Sequence, residues 1–131
     1  TPLRGRRVLL VEDNAVNRAI ARSFLESARC EAEDAYNGAQ ALDKLCAHVP
    51  DHFDLVLMDL QMPVMDGYET ARRIRAMRDP QLAAIPIVTM TANALAQDLS
   101  RERACGVSRH LSKPIDLTAL HAALCEVLRE N

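Results

Sequence analysis

A chain of 131 residues is long enough to bury one sizeable core and too short for two, and 49% hydrophobic with 26% charged residues is the make-up of an ordinary globular domain. A formal charge of −2 from 16 basic and 18 acidic residues, no tryptophan, two tyrosines and two phenylalanines offer nucleic acid neither a basic footprint nor stacking platforms. No apolar run nears the ~18 residues of a membrane span and no secretory signal opens the chain, so direct membrane contact by this segment is not expected; the start at Thr1 reads as processing or, better, as a segment cut from something longer.

Residues 1–6 read as a linker end and 7–131 as a single domain. The first strand is expected at 7–11 and is followed by Glu12 and Asp13. A helix at 14–28 carries Val16, Ile20 and Phe24 four apart. The second strand, 31–36, is polar and alternating, which suits a sheet edge. After a helix at 38–47, His48 and His52 have the spacing of a helical metal pair, but Pro50 between them breaks the helix that spacing needs, so they are read as loop histidines. A third strand at 54–58 leads into Asp59. A helix at 67–77 carries Arg72, Arg73 and Arg75, which with Arg78 alternate with Glu69 and Asp79 and are read as a solvated face.

A fourth strand at 86–90 precedes Thr91, a helix is expected at 94–104, and a fifth strand at 107–111 runs toward Lys113. The last helix, 116–129, has Leu117, Leu120, Leu124 and Leu128 at helical spacing and Asp116 as its N-cap. The first, third and fourth strands are nearly continuous in Val, Leu, Ile and Met, as strands covered on both faces are. Five alternations of strand and helix imply a doubly wound α/β fold with right-handed crossovers. The four cysteines, Cys30, Cys46, Cys105 and Cys125, form no CxxC pair and read as reduced, mostly buried thiols. The five methionines read as core or loop residues.

A parallel sheet ends all its strands on one edge, so Glu12, Asp13, Asp59, Thr91 and Lys113 are expected to converge there. Taken alone, Glu12 and Asp13 would also serve as caps for the helix that follows. Taken together, the set is what a divalent cation and a phosphoryl group need. Three crowded carboxylates repel unless a hard cation such as Mg²⁺ neutralises them. Asp59 is placed to attack phosphorus and form an aspartyl phosphate, with Lys113 offsetting charge on the phosphoryl oxygens and Thr91 donating to them.

The runs ValLeuLeuValGluAspAsn (8–14), LeuMetAspLeuGlnMetProValMetAspGly (57–67), ThrMetThrAla (89–92) and LeuSerLysProIle (111–115) resemble, in order and over nearly the whole chain, the receiver domain of two-component response regulators. The resemblance implies a flavodoxin-like five-stranded sheet of order 2-1-3-4-5 with helices on both faces. It implies Asp59 as phospho-acceptor, and Mg²⁺ held by Asp13, Asp59 and the backbone carbonyl of Gln61, with Glu12 acting through bound water. Lys113 would pair with the phosphoryl group, its bond to Pro114 being cis, and Thr91 would move toward that group on activation. Gln61 and Asn93 would set how readily water reaches the acyl phosphate. Met62-Pro63 and Asp66-Gly67 would shape the loop after the acceptor, Gly67 through backbone freedom.

Two positions depart from the family. His110 stands where a Tyr or Phe rotamer switch is usual, which leaves open whether it switches with Thr91 or only fills a strand position. Arg29 stands where a helix-ending glycine is usual, at a cost of order 1 kcal/mol in a left-handed cap. The opening segment and the loop after Asp59 are most similar to receivers of hybrid sensor histidine kinases, a free-standing single-domain regulator being the runner-up. The implied partner is a histidine kinase or histidine phosphotransfer domain. The implied location is cytoplasmic, within a parent compatible with an inner-membrane anchor. The domain itself would catalyse only its own phosphorylation and dephosphorylation, histidine kinase activity belonging to the parent. A Mg²⁺-dependent phosphohydrolase would need an acid where Gln61 stands, and a flavin module would need a Ser/Thr/Gly-rich loop where Glu12 and Asp13 repel phosphate.

Overall fold

The computed structural model describes residues 4–47, 52–60, 62, 65–91, 100, 103–113 and 116–129. Strands β1 (Arg7–Val11), β2 (Glu31–Ala35), β3 (Leu55–Asp59), β4 (Ile87–Thr91) and β5 (Arg109–Ser112) form one sheet in the order β2-β1-β3-β4-β5, every neighbouring pair parallel. Around it lie α1 (Ala15–Ser27), α2 (Gly38–Ala47), α3 (Gly67–Arg75), a single turn α4 (Pro80–Ala83) and α5 (Leu117–Arg129). The expected helix at 94–104 falls mostly outside the described residues. The turn α4 was not expected; Asp79 caps it by accepting from the N–H groups of Gln81 and Leu82 at 2.9 and 3.4 Å. β5 starts two residues later than the sequence suggests, at Arg109.

Alternation along the strands sorts the core into two layers. Val8 and Leu10 of β1, Leu55 and Leu57 of β3, and Val88 and Met90 of β4 pack against Ala21 and Leu25 of α1 and Leu120 and Leu124 of α5. Leu9 and Val11, Val56 and Met58, and Ile87 face the other way, onto Ala41 and Leu45 of α2 and Ala71 and Ile74 of α3. Burial on both faces explains why these strands are apolar at nearly every position. The edge strand β2 combines acids with Ala32 and Ala35, and only Ala35 is fully buried.

Of the three apolar residues four apart in α1, only Phe24 packs against the core. Val16 and Ile20 are 67% and 45% exposed, and the helix buries Ala21 and Leu25 instead. The end of α1 matches expectation. Arg29 sits at φ 67°, with its N–H donating to Glu26 O and that of Cys30 to Leu25 O, both at 2.9 Å, the paired bonds of a Schellman cap. Arg72 and Arg73 lie on the solvated face, 3.7 and 3.5 Å from Glu69. Arg75 does not. Its guanidinium reaches Gly106 O at 2.9 Å, Ala83 O at 2.8 Å and Ile85 O at 2.6 Å, and burial lowers its pKa.

Candidate functional site

The C-terminal edge of the sheet gathers the acids. Glu12 follows β1 and extends the ladder, its N–H donating to Ala35 O at 3.0 Å, which sends the side chain inward to complete burial. Asp13 is exposed. Capping of α1 falls to Asn14, whose side chain accepts from the N–H groups of Val16 and Asn17, so both acids are left free for the site. Asp59 closes β3 and is buried. One carboxylate oxygen from each of Glu12, Asp13 and Asp59 lies within 4.8 Å of the others.

Lys113 supplies the cation. Its N–H donates to Thr91 O at 2.8 Å, continuing the β4–β5 pairing, and its Nζ donates to Asp59 Oδ2 at 3.0 Å and stands 3.9 Å from Glu12 Oε1. Thr91, the last residue of β4, is buried in register opposite Ser112. His110, half-buried in β5, is opposite Thr89 in register. Gln61, Asn93, Pro63 and Pro114 lie outside the described residues.

Burial first, and then the Asp59 carboxylate beside it, push the Glu12 carboxyl from 4.5 up to about 7, with Lys113 and Asn17 pulling it back. Neither Glu12 side-chain oxygen has a hydrogen-bond partner among the described residues. Buried carboxylate oxygens without donors are costly. A hard divalent cation is the partner such oxygens fit, beside the single charge that Lys113 brings to Glu12 and Asp59.

After the acceptor position the backbone turns back on itself. Asp66 caps α3 through Glu69 N–H at 2.9 Å, and Gly67 N–H donates to Leu60 O at 3.0 Å. A Cβ at Gly67 would stand 2.8 Å from Leu60 Cα and 2.9 Å from Asp59 O. The glycine is therefore required by close approach and not by an unusual φ.

Sequence reasoning did not single out Asn17, Arg18 or Tyr36. Arg18 Nη1 donates to Glu12 O at 3.0 Å and Asp13 O at 3.2 Å, and its guanidinium carbon lies 4.3 Å from the centroid of the Tyr36 ring. The available signal was spacing: Arg18 lies four after Asn14, one helical turn above the acids.

The family model of the response regulator receiver domain matches residues 8–125. The chain belongs to that family. Among its relatives, the "Two-component response regulator ORR41" of Oryza sativa subsp. japonica is 40% identical over 123 residues, covering 92% of this chain and 92% of that protein. "Probable histidine kinase 2" of Oryza sativa subsp. indica is 37% identical over 126 residues, covering 88% of this chain; the chain spans only 12% of that protein's length. Among solved structures, the receiver domain of sensor histidine kinase PA1611 from Pseudomonas aeruginosa PAO1, with a magnesium ion coordinated in its active site cleft, has a TM-score of 0.85 and 33% identity, covering 95% of this chain and 98% of that one. The receiver assignment places this domain in phosphorelay signalling, and its sheet order is the one the resemblance implied. Among the described residues no helix is long and apolar enough to cross a membrane.

Proposed function

We propose that this receiver accepts a phosphoryl group from a phosphohistidine onto Asp59, as the receiver of a hybrid histidine kinase. The observation that carries the reading is the bond from Lys113 Nζ to Asp59 Oδ2 at 3.0 Å beside three carboxylates within 4.8 Å. A carboxylate oxygen of Asp59 attacks phosphorus; the P–O bond forms as the P–N bond breaks, and the electron pair leaves with the imidazole nitrogen. Lys113 passes from the Asp59 carboxylate to the phosphoryl oxygens, so its charge stays compensated through the transfer. Asp13, Asp59 and the carbonyl of Gln61 would hold Mg²⁺, with Glu12 behind them. When bound, the ion supplies positive charge that offsets the carboxylates and the phosphoryl oxygens.

Thr91 is the hydroxyl that meets the phosphoryl group, and His110 takes the place of an aromatic switch. Gln61 and Asn93 set the access of water. The donor is a histidine kinase or a histidine phosphotransfer domain. A free-standing regulator is the second reading, favoured by the response regulator that this chain covers over 92% of its length; the coding sequence flanking these residues decides between them.

The acceptor is tested by incubating the domain with a small acyl phosphate and Mg²⁺ and recording intact mass. One phosphoryl adduct is expected, abolished by chelator and by Asp59→Asn. Full labelling of the Asn variant would overturn the assignment.

A further inference from the structure

The segment carrying Glu12 and Asp13 is held from three directions. β2 takes the Glu12 N–H at Ala35 O, 3.0 Å away. Asn14 anchors the far end by capping α1. The third hold is a single nitrogen, Arg18 Nη1, on the carbonyls of both acids, at 3.0 and 3.2 Å. Gripping two successive carbonyls fixes two successive peptide planes, and with them the directions in which the two carboxylates leave the chain.

Arg18 is itself held. Its own N–H donates to Asn14 O at 2.9 Å, and the Tyr36 ring, 4.3 Å from its guanidinium carbon, covers one face. Among the described residues it makes no ion pair. Its charge is thus spent on backbone carbonyls behind the acids and leaves their oxygens free. A planar guanidinium can hold two carbonyls through one nitrogen while its face stacks on the ring; a lysine ammonium, a point charge on a flexible stem, has no such face to lock it in place.

We propose that Arg18, locked by Tyr36, is a positioning residue for the metal-binding acids, setting the affinity of the site for a divalent cation. The inference rests on the proposed Mg²⁺ site. Position and charge make opposite demands. As a nearby cation Arg18 repels Mg²⁺, so its removal would tighten binding if charge were its main effect. As an organiser of the ligands it favours binding, and its removal weakens it.

The test is calorimetric titration of the intact domain with Mg²⁺ alone, with thermal melts of each metal-free variant beside it. Groups that orient metal ligands from behind are worth roughly 10-fold or more in affinity. Arg18→Ala is expected to weaken Mg²⁺ binding about tenfold, and Arg18→Lys to remain several-fold weaker than wild type. Tyr36→Ala is expected to weaken binding in the same direction by a smaller factor, and Tyr36→Phe, which keeps the ring, to restore it. Unchanged or tighter binding by Arg18→Ala overturns the inference. So does equal weakening by Tyr36→Phe and Tyr36→Ala, since the stacked ring would then play no part. A wild-type domain that fails to bind Mg²⁺ at all sinks the metal site itself, an outcome distinct from the other two.

Discussion

Lys113 Nζ is 3.0 Å from Asp59 Oδ2, in a pair whose side chains are 22% and 4% exposed. Removing one member of such a pair leaves a buried charge uncompensated. Lys113→Met is therefore expected to destabilise the metal-free domain by about 1–3 kcal/mol, the partial exposure of the lysine holding the loss below that of a fully buried pair. Mg²⁺ should recover part of the loss by compensating the same carboxylates. Urea melts with and without Mg²⁺ check this; equal losses in both conditions would show that ion and lysine do not share a site.

Glu12 gives the metal-free domain a pH dependence of definite sign. Its folded value, about 7, stands above its ordinary 4.5, so the folded state favours the protonated form. That contribution is fully present below about pH 4.5 and is lost as pH rises through 7, amounting to roughly 3 kcal/mol. Asp59→Asn removes the neighbouring charge, so the variant's Glu12 value falls toward 4.5, the loss becomes smaller and is complete at lower pH, and the metal-free variant loses less stability than wild type between pH 5 and 8. Mg²⁺ at a hundred times its dissociation constant should add about 2.7 kcal/mol to wild type at neutral pH and less to Asp59→Asn. Melts of both proteins at pH 5 and 8, with and without Mg²⁺, check these outcomes.

Gly67 lies against the backbone of the acceptor turn, with no room for a Cβ between it and Leu60 Cα at 2.8 Å. Leu60 Cα and Asp59 O are both backbone atoms, so Gly67→Ala must displace backbone. The expected result is a loss of about 1–3 kcal/mol in stability together with slower labelling by acyl phosphate, because Asp59 O is among the displaced atoms. Normal labelling in a destabilised variant would separate the turn from the chemistry.

The parts of this molecule that were legible from sequence are those where position alone dictates environment. Val8 to Val11, Leu55 to Met58 and Ile87 to Met90 are covered on both faces, so their apolar runs mark strands directly. Parallel pairing then brings Glu12, Asp13, Asp59 and Lys113 to one edge. Arg29 was legible as a left-handed cap only through the resemblance, which puts a glycine there. Val16 and Ile20 marked the helix but not its covered face, because a four-residue period identifies a helical stripe without saying whether anything covers it. Arg18 and Arg75 were missed for a shared reason. Both are satisfied by backbone carbonyls, acceptors that every residue carries and no sequence pattern marks.

Arg75 offers the contrast to the acid cluster. It joins the end of α3 to Ala83 and Ile85 ahead of β4 and to Gly106 ahead of β5, at the sheet edge opposite Asp59. Gly106 takes φ 89° there, and a Cβ on it would meet Arg75 Cγ at 2.6 Å, so the guanidinium and the glycine turn fit only each other. Three carbonyls depend on one cation, and hydrogen bonds to charged groups are worth about 1.5–3 kcal/mol each. Arg75→Met should cost about 2–4 kcal/mol after relaxation and hydration of the freed carbonyls. Arg75→Lys should recover less than half of that, because one ammonium cannot span the fork. Urea midpoints with an unchanged m-value measure the loss. The rate of Asp59 labelling at a temperature where both variants stay folded should match wild type; a slowed rate would mean that the two edges of the sheet are coupled through β4 and β5.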